Sequence, residues 1–224
     1  MLAVALTVAV AAASTRDIDG QQYPLELAGG KQVLVGGGTR YKYGMIKVYA
    51  VALYVSRATS DKWAVDHRGK PAATLAADAS FYESIIKSRS SKSLLLQFHR
   101  AVDSGTVAGA LKDALTSRLD EPVVKAFHEA LERALGGGKV KQGAQIYFTC
   151  SDSKVTIGVG SPSAAAVVNE GTVCPALLDV YYGKEPISPS AKDGVAAGVA
   201  LLPEPKPKAE PQAEPPKAEP KEEM

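Results

Sequence analysis

The sequence has few residues of the types that hold metals and haem. Among 224 residues it has two cysteines, Cys150 and Cys174, and three histidines, His67, His99 and His128. Neither cysteine belongs to a CxxC motif, and the histidines lie far apart, so zinc and haem spacings are missing. We therefore expect no metal and no cofactor. If the chain is exported the two cysteines can form a disulfide, and two separate buried thiols are an equally good interpretation.

The sequence also lacks a strong charge of either sign. Its net charge is +2, and no basic run alternates with stacking aromatic residues. Both features argue against a nucleic-acid partner. The P-loop and dinucleotide motifs are missing around Gly36-Gly37-Gly38, and no GxSxG motif of a serine hydrolase occurs. A β-turn or bulge is the better interpretation of these glycines.

Charged side chains are missing from the first fifteen residues, MLAVALTVAVAAAST. This run is too short to cross a hydrocarbon core of about 30 Å as a helix, so we expect no stable membrane span. It is similar to the apolar region of a signal peptide, with small residues at 11–13 as a cleavage site. We therefore expect export, to a secreted or periplasmic location. A plastid or other organelle and a trivial apolar terminus are the alternatives.

Composition divides the chain into three parts. Residues 1–16 form the apolar signal or targeting segment. Residues 203–224 hold seven of the fourteen prolines and repeat a KAEP or QAEP unit. Without large apolar residues before the final methionine, this Pro/Glu/Lys-rich tail cannot build a core, and we predict that it is disordered. The folded domain is therefore predicted over 17–202, and we expect it to be a monomer.

Within that domain, hydrophobic periodicity indicates both strands and helices. The predicted strands are 31–35, followed by a turn at 36–38, then 46–55, 93–100, 144–150 and 154–160. The predicted helices are 79–87, one from Asp103 or Ser104 through Leu115, one from Asp120 to Gly136, one from Pro175 to Gly183, and 189–202. The last two strands, joined by the tight turn 151–153, should form an antiparallel hairpin. Helices on an antiparallel sheet make this an α+β fold.

One strand carries the candidate binding site. Alternation along 46–55 places Ile46, Val48, Ala50, Ala52 and Tyr54 on one face, whose small members suit packing under helices. The other face holds Lys47, Tyr49, Val51, Leu53 and Val55. Arg40 can reach the polar end of this second face, where its planar fork suits a carboxylate or phenolate. A bound amphiphile and a plain strand edge with extended basic side chains both fit this pattern.

Three stretches of the sequence together resemble the chalcone isomerase-like superfamily. They are LVGGGTR with IKVYAVALYV (34–40 and 46–55), KSLLLQFHRAVDSGTVAGALKDAL (92–115) and LLDVYYGKEPISPSAK (177–192). The resemblance implies an open-faced β-sandwich, in which helices cover one face of a large antiparallel sheet and the ligand cleft lies between them.

The resemblance also implies roles for single residues. Isomerases of the superfamily close a chalcone to a flavanone by adding a phenolate to an enone, and the arginine that holds the phenolate matches Arg40. Tyr49 replaces the threonine that helps polarise the ketone. Thr106 aligns with a tyrosine that does similar work, and Val180 and Tyr181 replace a polar pair that contacts the substrate.

With these replacements the sequence is more similar to the fatty-acid-binding branch of the superfamily, in which an arginine and a tyrosine bind a carboxylate. The resemblance therefore implies a non-catalytic or weakly catalytic protein that binds a fatty acid or another small amphiphilic acid. The implied ligand-binding residues are Arg40, Tyr49, Lys47, Val51, Leu53, Thr106, Val180 and Tyr181. The alternative is an intramolecular lyase that converts a chalcone to a flavanone, with Arg40, Tyr49 and Thr106 as its catalytic residues.

Overall fold

A computed structural model describes residues 14–151 and 153–205 of the chain. Of the predicted targeting segment, residues 1–13 lie outside this range. Of the predicted disordered tail, residues 206–224 lie outside it. Asp152, in the predicted turn between the last two strands, is also outside.

The described residues form eleven strands and seven helices. The strands are β1 (Thr15–Ile18), β2 (Gln21–Pro24), β3 (Glu26–Leu27), β4 (Gln32–Lys42), β5 (Ile46–Ser56), β6 (Lys92–Phe98), β7 (Val102–Asp103), β8 (Lys139–Val140), β9 (Gln145–Ser151), β10 (Lys154–Val159) and β11 (Ala166–Val168). The helices are α1 (Arg57–Asp66), α2 (Ala72–Ala77), α3 (Ala79–Lys87), α4 (Ser104–Thr116), α5 (Glu121–Leu135), α6 (Val173–Tyr182) and α7 (Pro189–Ala200).

Seven of the strands form one large sheet in the order β11-β10-β9-β6-β5-β4-β3. Every neighbouring pair in this sheet is antiparallel. The helices pack on one face, and the sheet stays open rather than closing into a barrel. This confirms the predicted α+β fold with an open antiparallel sheet. Among the described helices, none is long and apolar enough to cross a bilayer.

The two faces of β5 belong to two different cores. Tyr49, Val51, Leu53 and Val55 pack under the helices in the larger core. Ala50, Ala52 and Tyr54 face the other way and pack against the β1–β2 hairpin. The prediction that this small-residue face lies under helices is therefore wrong.

The N-terminal hairpin explains why small residues are needed on that face. Tyr23 of β2 is fully buried over β5, and its hydroxyl donates to the Ala50 carbonyl at 2.7 Å. The Tyr54 hydroxyl donates to the Pro24 carbonyl at 2.8 Å. Alanine on β5 leaves room for the Tyr23 ring, because interiors of proteins are close-packed.

The glycines at 36–38 lie inside strand β4, so the predicted turn there is wrong. A register irregularity between Leu34 and Gly36 does mark a bulge. Gly36 and Gly38 instead permit close contact with α7. A Cβ on Gly36 would lie 2.1 Å from the Gly194 carbonyl oxygen, and one on Gly38 would lie 2.4 Å from the Ser190 carbonyl oxygen. Helix α7 therefore rests directly on the backbone of β4.

The helix boundaries largely follow the predicted capping signals. The Asp103 carboxylate accepts from the Gly105 and Thr106 N–H groups at 3.0 and 3.2 Å, at the start of α4. Helix α5 has Pro122 in its first turn and ends at Gly136, whose φ of 68° is left-handed. These features agree with common helix capping patterns.

A disulfide joins the sheet to the helix layer. Cys150 of β9 and Cys174 of α6 are bonded, with their Cα atoms 5.7 Å apart and a sequence separation of 24. The structure thus selects the disulfide from the two alternatives left open by the sequence. Closing a loop of this length stabilises a fold by about 3 kcal/mol.

Candidate functional site

A cavity of about 420 Å³ opens at one end of the large sheet, between the sheet and helix α4. Its size falls within the range of about 300–1,000 Å³ that is typical of small-molecule sites. Most of its lining is apolar, including Val48, Phe98, Val102, Val107, Leu111 and Ile187. Such walls suit an alkyl chain or an aromatic ring.

Arg40 and Tyr49 form the polar end of the cavity. They lie directly opposite each other on the antiparallel strands β4 and β5, so their side chains share one face. Both line the cavity. One Arg40 N–H group donates to the Tyr41 carbonyl at 2.8 Å. A guanidinium has five N–H donors, so others remain for a ligand.

The Tyr49 hydroxyl is held by a second buried phenol. It lies 2.9 Å from the hydroxyl of Tyr181 on α6, and either can donate. Burial raises the pKa of both Tyr49 and Tyr181, outweighing the lowering effect of nearby Arg40. Both phenols therefore stay protonated at neutral pH. If Tyr181 donates to Tyr49, the Tyr49 proton is free to bind an acceptor in the cavity.

The electrostatic character of the cavity is positive. Arg40, Lys42 and Arg100 line it, and no aspartate or glutamate does so. Among residues 14–151 and 153–205, none of these three cations is within ion-pair distance of a carboxylate. The site is therefore suited to a ligand that carries negative charge at one end.

Three of the predicted ligand-binding residues meet at this cavity, namely Arg40, Tyr49 and Thr106. Tyr181 lies one hydrogen bond behind them, through Tyr49. Val51, Leu53 and Val180 were predicted beside the ligand, but they are fully buried in the larger core and do not line the cavity. Beyond Tyr49 the same face of the strand belongs to the larger core under the helices.

Lys47 lies on the opposite face of the sheet from the predicted one. Arg40 pairs with Tyr49, but the next pair is Tyr41 with Lys47, so Val48 is an extra residue in β5. A bulge of this kind shifts the alternation by one residue. The Lys47 ammonium consequently binds the Asp19 carboxylate at 2.5 Å outside the cavity. The same carboxylate accepts from the Tyr41 hydroxyl at 2.9 Å.

Arg100, Lys42 and Ile187 line the cavity but were not predicted from the sequence. Arg100 is the second residue after the end of strand β6, and its position after an apolar run was the one available signal. Ile187 comes from the segment between α6 and α7, and nothing in local periodicity places it near Arg40. Within the part of the chain that the structure describes, no group of three or more His, Cys, Asp or Glu side chains could hold a metal ion.

The sequence matches a known protein family and is similar to two plant enzymes. A family model described as chalcone isomerase-like matches residues 15–195. A chalcone–flavanone isomerase of Hordeum vulgare is 29% identical over 186 residues, covering 74% of this chain and 75% of the relative. One of Oryza sativa subsp. japonica is 28% identical over 223 residues, covering 86% and 92%.

A solved structure shares the fold. It is a fatty-acid binding protein of Arabidopsis thaliana, which aligns with a TM-score of 0.67 and 20% identity. The alignment covers 84% of this chain and 99% of that one.

Proposed function

The chain belongs to the chalcone isomerase-like family, and from this premise we propose that it binds a fatty acid or a similar amphiphilic carboxylate in the cavity headed by Arg40 and Tyr49. One observation carries the proposal. A guanidinium and a phenol converge at one end of an apolar cavity whose lining includes no acidic residue. The structural similarity to a fatty-acid binding protein supports it.

The polar end supplies complementary donors for a carboxylate. Arg40 offers a forked pair of N–H groups, and Tyr49 offers a hydroxyl that burial keeps protonated. A hydrogen bond to a charged group contributes about 1.5–3 kcal/mol. The acyl chain would lie along Phe98, Val107 and Leu111, and each buried methylene contributes about 0.8 kcal/mol.

The proposal is tested by fatty-acid titration of delipidated protein. The probe is a fluorescent fatty acid, displaced by unlabelled palmitate or by its methyl ester. We expect Arg40→Met to weaken binding of the acid by about tenfold to a hundredfold, because it removes a charged hydrogen-bond donor. It should change binding of the methyl ester far less.

Lys47→Met is the matched control. It removes the same charge from the neighbouring strand, but the Lys47 ammonium faces Asp19 outside the cavity. We expect it to leave palmitate affinity unchanged. Equal losses in the two variants, or no binding of palmitate by the wild-type protein, would refute the proposed site.

A second candidate function is closure of a chalcone to a flavanone. Two curated relatives at 29% and 28% identity are chalcone–flavanone isomerases. Arg40 can hold a phenolate as readily as a carboxylate. However, Thr106 occupies the position at which the isomerases are expected to carry a tyrosine, and its shorter side chain offers no phenol to a developing negative charge. Loss of such a donor can raise a barrier by about 2.7–4 kcal/mol.

Chalcone absorbance, followed with enzyme and with buffer alone, distinguishes the two functions. Under the binding proposal we expect little acceleration over buffer and no difference between wild-type and Arg40→Met protein. A large acceleration that Arg40→Met abolishes would instead establish the isomerase function.

A further inference from the structure

Residues 43–46, which form the turn between β4 and β5 and the first residue of β5, are unusually apolar for an exposed segment. Tyr43 and Met45 are 78% and 83% exposed, and Ile46 is also exposed. Four other large apolar side chains are exposed among the described residues, and they lie on separate elements (Val65, Val159, Val167 and Leu201). The turn therefore carries the one run of exposed large apolar side chains in the described part of the chain.

The local backbone holds these side chains away from the domain. The Met45 N–H group donates to the Lys42 carbonyl at 3.3 Å, and Tyr43 and Gly44 have φ values of 54° and 73°. This is the geometry of a tight type I′ turn. A rigid turn presents Tyr43 and Met45 together at the end of a long hairpin, so they form one projecting apolar surface.

Cations surround the projecting surface. Lys42 directly precedes the turn, and Arg100 lines the same cavity. Neither is in an ion pair with a carboxylate of residues 14–151 or 153–205. The Asp19 carboxylate is already bound to Lys47 and to the Tyr41 hydroxyl. Exposed apolar side chains flanked by unpaired cations suit an anionic lipid surface, where tyrosine also favours the interface.

The same turn forms the entrance of the cavity. Lys42, Tyr43 and Ile46 all line it, and Met45 lies just beyond. We propose that residues 42–46, together with Arg100, dock the protein on an anionic lipid bilayer so that the acyl ligand passes directly between the membrane and the cavity. This inference rests on the proposed binding function, since it concerns the route by which that ligand enters.

Vesicle co-sedimentation tests the docking. The probes are vesicles of phosphatidylcholine alone and vesicles of phosphatidylcholine with phosphatidylglycerol, each at low and high salt. We expect binding to the anionic vesicles that high salt weakens. Met45→Ser should weaken that binding about tenfold by removing apolar area. Lys42→Gln should weaken it about fivefold, the contribution of one cation near an anionic leaflet.

Leu201→Ser is the matched control, because Leu201 is 78% exposed but lies at the end of α7. It should bind vesicles as the wild type does. Met45 does not line the cavity, so Met45→Ser should keep the wild-type affinity for palmitate in the absence of vesicles. It should nevertheless transfer a fluorescent fatty acid to anionic vesicles about tenfold more slowly, in proportion to its weaker docking.

The outcomes separate the two proposals. Palmitate binding without vesicle binding would overturn the docking surface and leave the binding function standing. Vesicle binding without palmitate binding would overturn the binding function. Equal binding to neutral and anionic vesicles, or equal effects of Met45→Ser and Leu201→Ser, would also overturn the docking surface.

Discussion

Removing the hydroxyl of Tyr49 should destabilise the fold more than removing the hydroxyl of Tyr181. Each hydroxyl has the other as its hydrogen-bond partner, at 2.9 Å. Tyr181 is fully buried and does not line the cavity, whereas Tyr49 does. Tyr49→Phe would therefore leave the Tyr181 hydroxyl buried without a partner. Tyr181→Phe would leave the Tyr49 hydroxyl facing the cavity, where water can replace the lost partner.

The two free-energy costs follow from this difference. A buried hydroxyl without a partner costs about 1–3 kcal/mol, so we expect Tyr49→Phe to destabilise the fold by about 2 kcal/mol. Tyr181→Phe should cost about 1 kcal/mol or less, since hydration offsets part of the loss. The double variant should cost less than the sum of the two, because no unpartnered hydroxyl remains.

Urea unfolding of the four proteins measures the free energies of this cycle. Thermal unfolding should show the same order, with a shift of about 2–4 °C per kcal/mol for a chain of this size. Tyr43→Phe, which removes an exposed hydroxyl, is the control and should leave stability unchanged. The reasoning would be refuted if the two losses of unfolding free energy were additive in the double variant. It would also be refuted if Tyr181→Phe cost more than Tyr49→Phe, because the Tyr181 hydroxyl is taken to be the one that water cannot reach.

Two further predictions concern packing and pH. Gly194→Ala should destabilise the fold by more than about 3 kcal/mol in urea unfolding, because its Cβ would lie 1.9 Å from the Gly37 carbonyl oxygen. Gly109→Ala, where a Cβ meets nothing within 4 Å, should instead stabilise by about 0.5–1 kcal/mol, and equal effects would contradict the close contact of α7. Burial lowers the pKa of Lys92 to about 8, so between this value and about 10.4 the unfolded chain binds more protons and stability rises with pH. This rise in the free energy of unfolding, up to about 3 kcal/mol, should be missing in the Lys92→Met variant. A variant whose stability rises with pH as the wild type's does would contradict the role given to Lys92.

The fold was largely predictable because its elements follow local patterns. Strand β5 is a nearly continuous run of aliphatic and aromatic residues, helix α5 shows an apolar period of 3.6 residues, and Asp103 and Gly136 mark helix ends. The glycines at 36–38 were misjudged because their reason is not local. Gly36 and Gly38 meet α7, which lies about 150 residues later in the chain, and a contact over that distance leaves no periodic signal.

The N-terminal hairpin was missed for a related physical reason. Strands β1 and β2 have four residues each, and few of their side chains are buried. A short polar segment shows weak alternation, so periodicity cannot separate it from a loop. Tyr23 is the residue that gives the hairpin its place, and its contact with Ala50 is visible only in three dimensions.

The candidate site shows where alternation fails as a guide. Arg40 and Tyr49 were placed on one face by counting, and they are cross-strand neighbours. Before Tyr49 in the sequence, the alternation of side chains between the two faces fails. Val48 is an extra residue in the strand, and a period-2 pattern cannot reveal it. The bulge has two effects on the site. It turns the Lys47 ammonium outward to Asp19, and it lets Val48 and Ile46 join the cavity wall.

These two effects explain how the cavity can have an apolar wall next to the guanidinium of Arg40. Strict alternation would have put Lys47 into the cavity as a fourth cation beside Arg40, Lys42 and Arg100. Such a lining would have favoured a more polar, more highly charged ligand. With the bulge, the apolar wall at Ile46 and Val48 continues from the exposed Met45 inward to Tyr49. Moving Lys47 out of the cavity therefore leaves an apolar wall of Ile46 and Val48 on the strand that carries Tyr49. That arrangement is what a ligand with one charged end and a long apolar body requires.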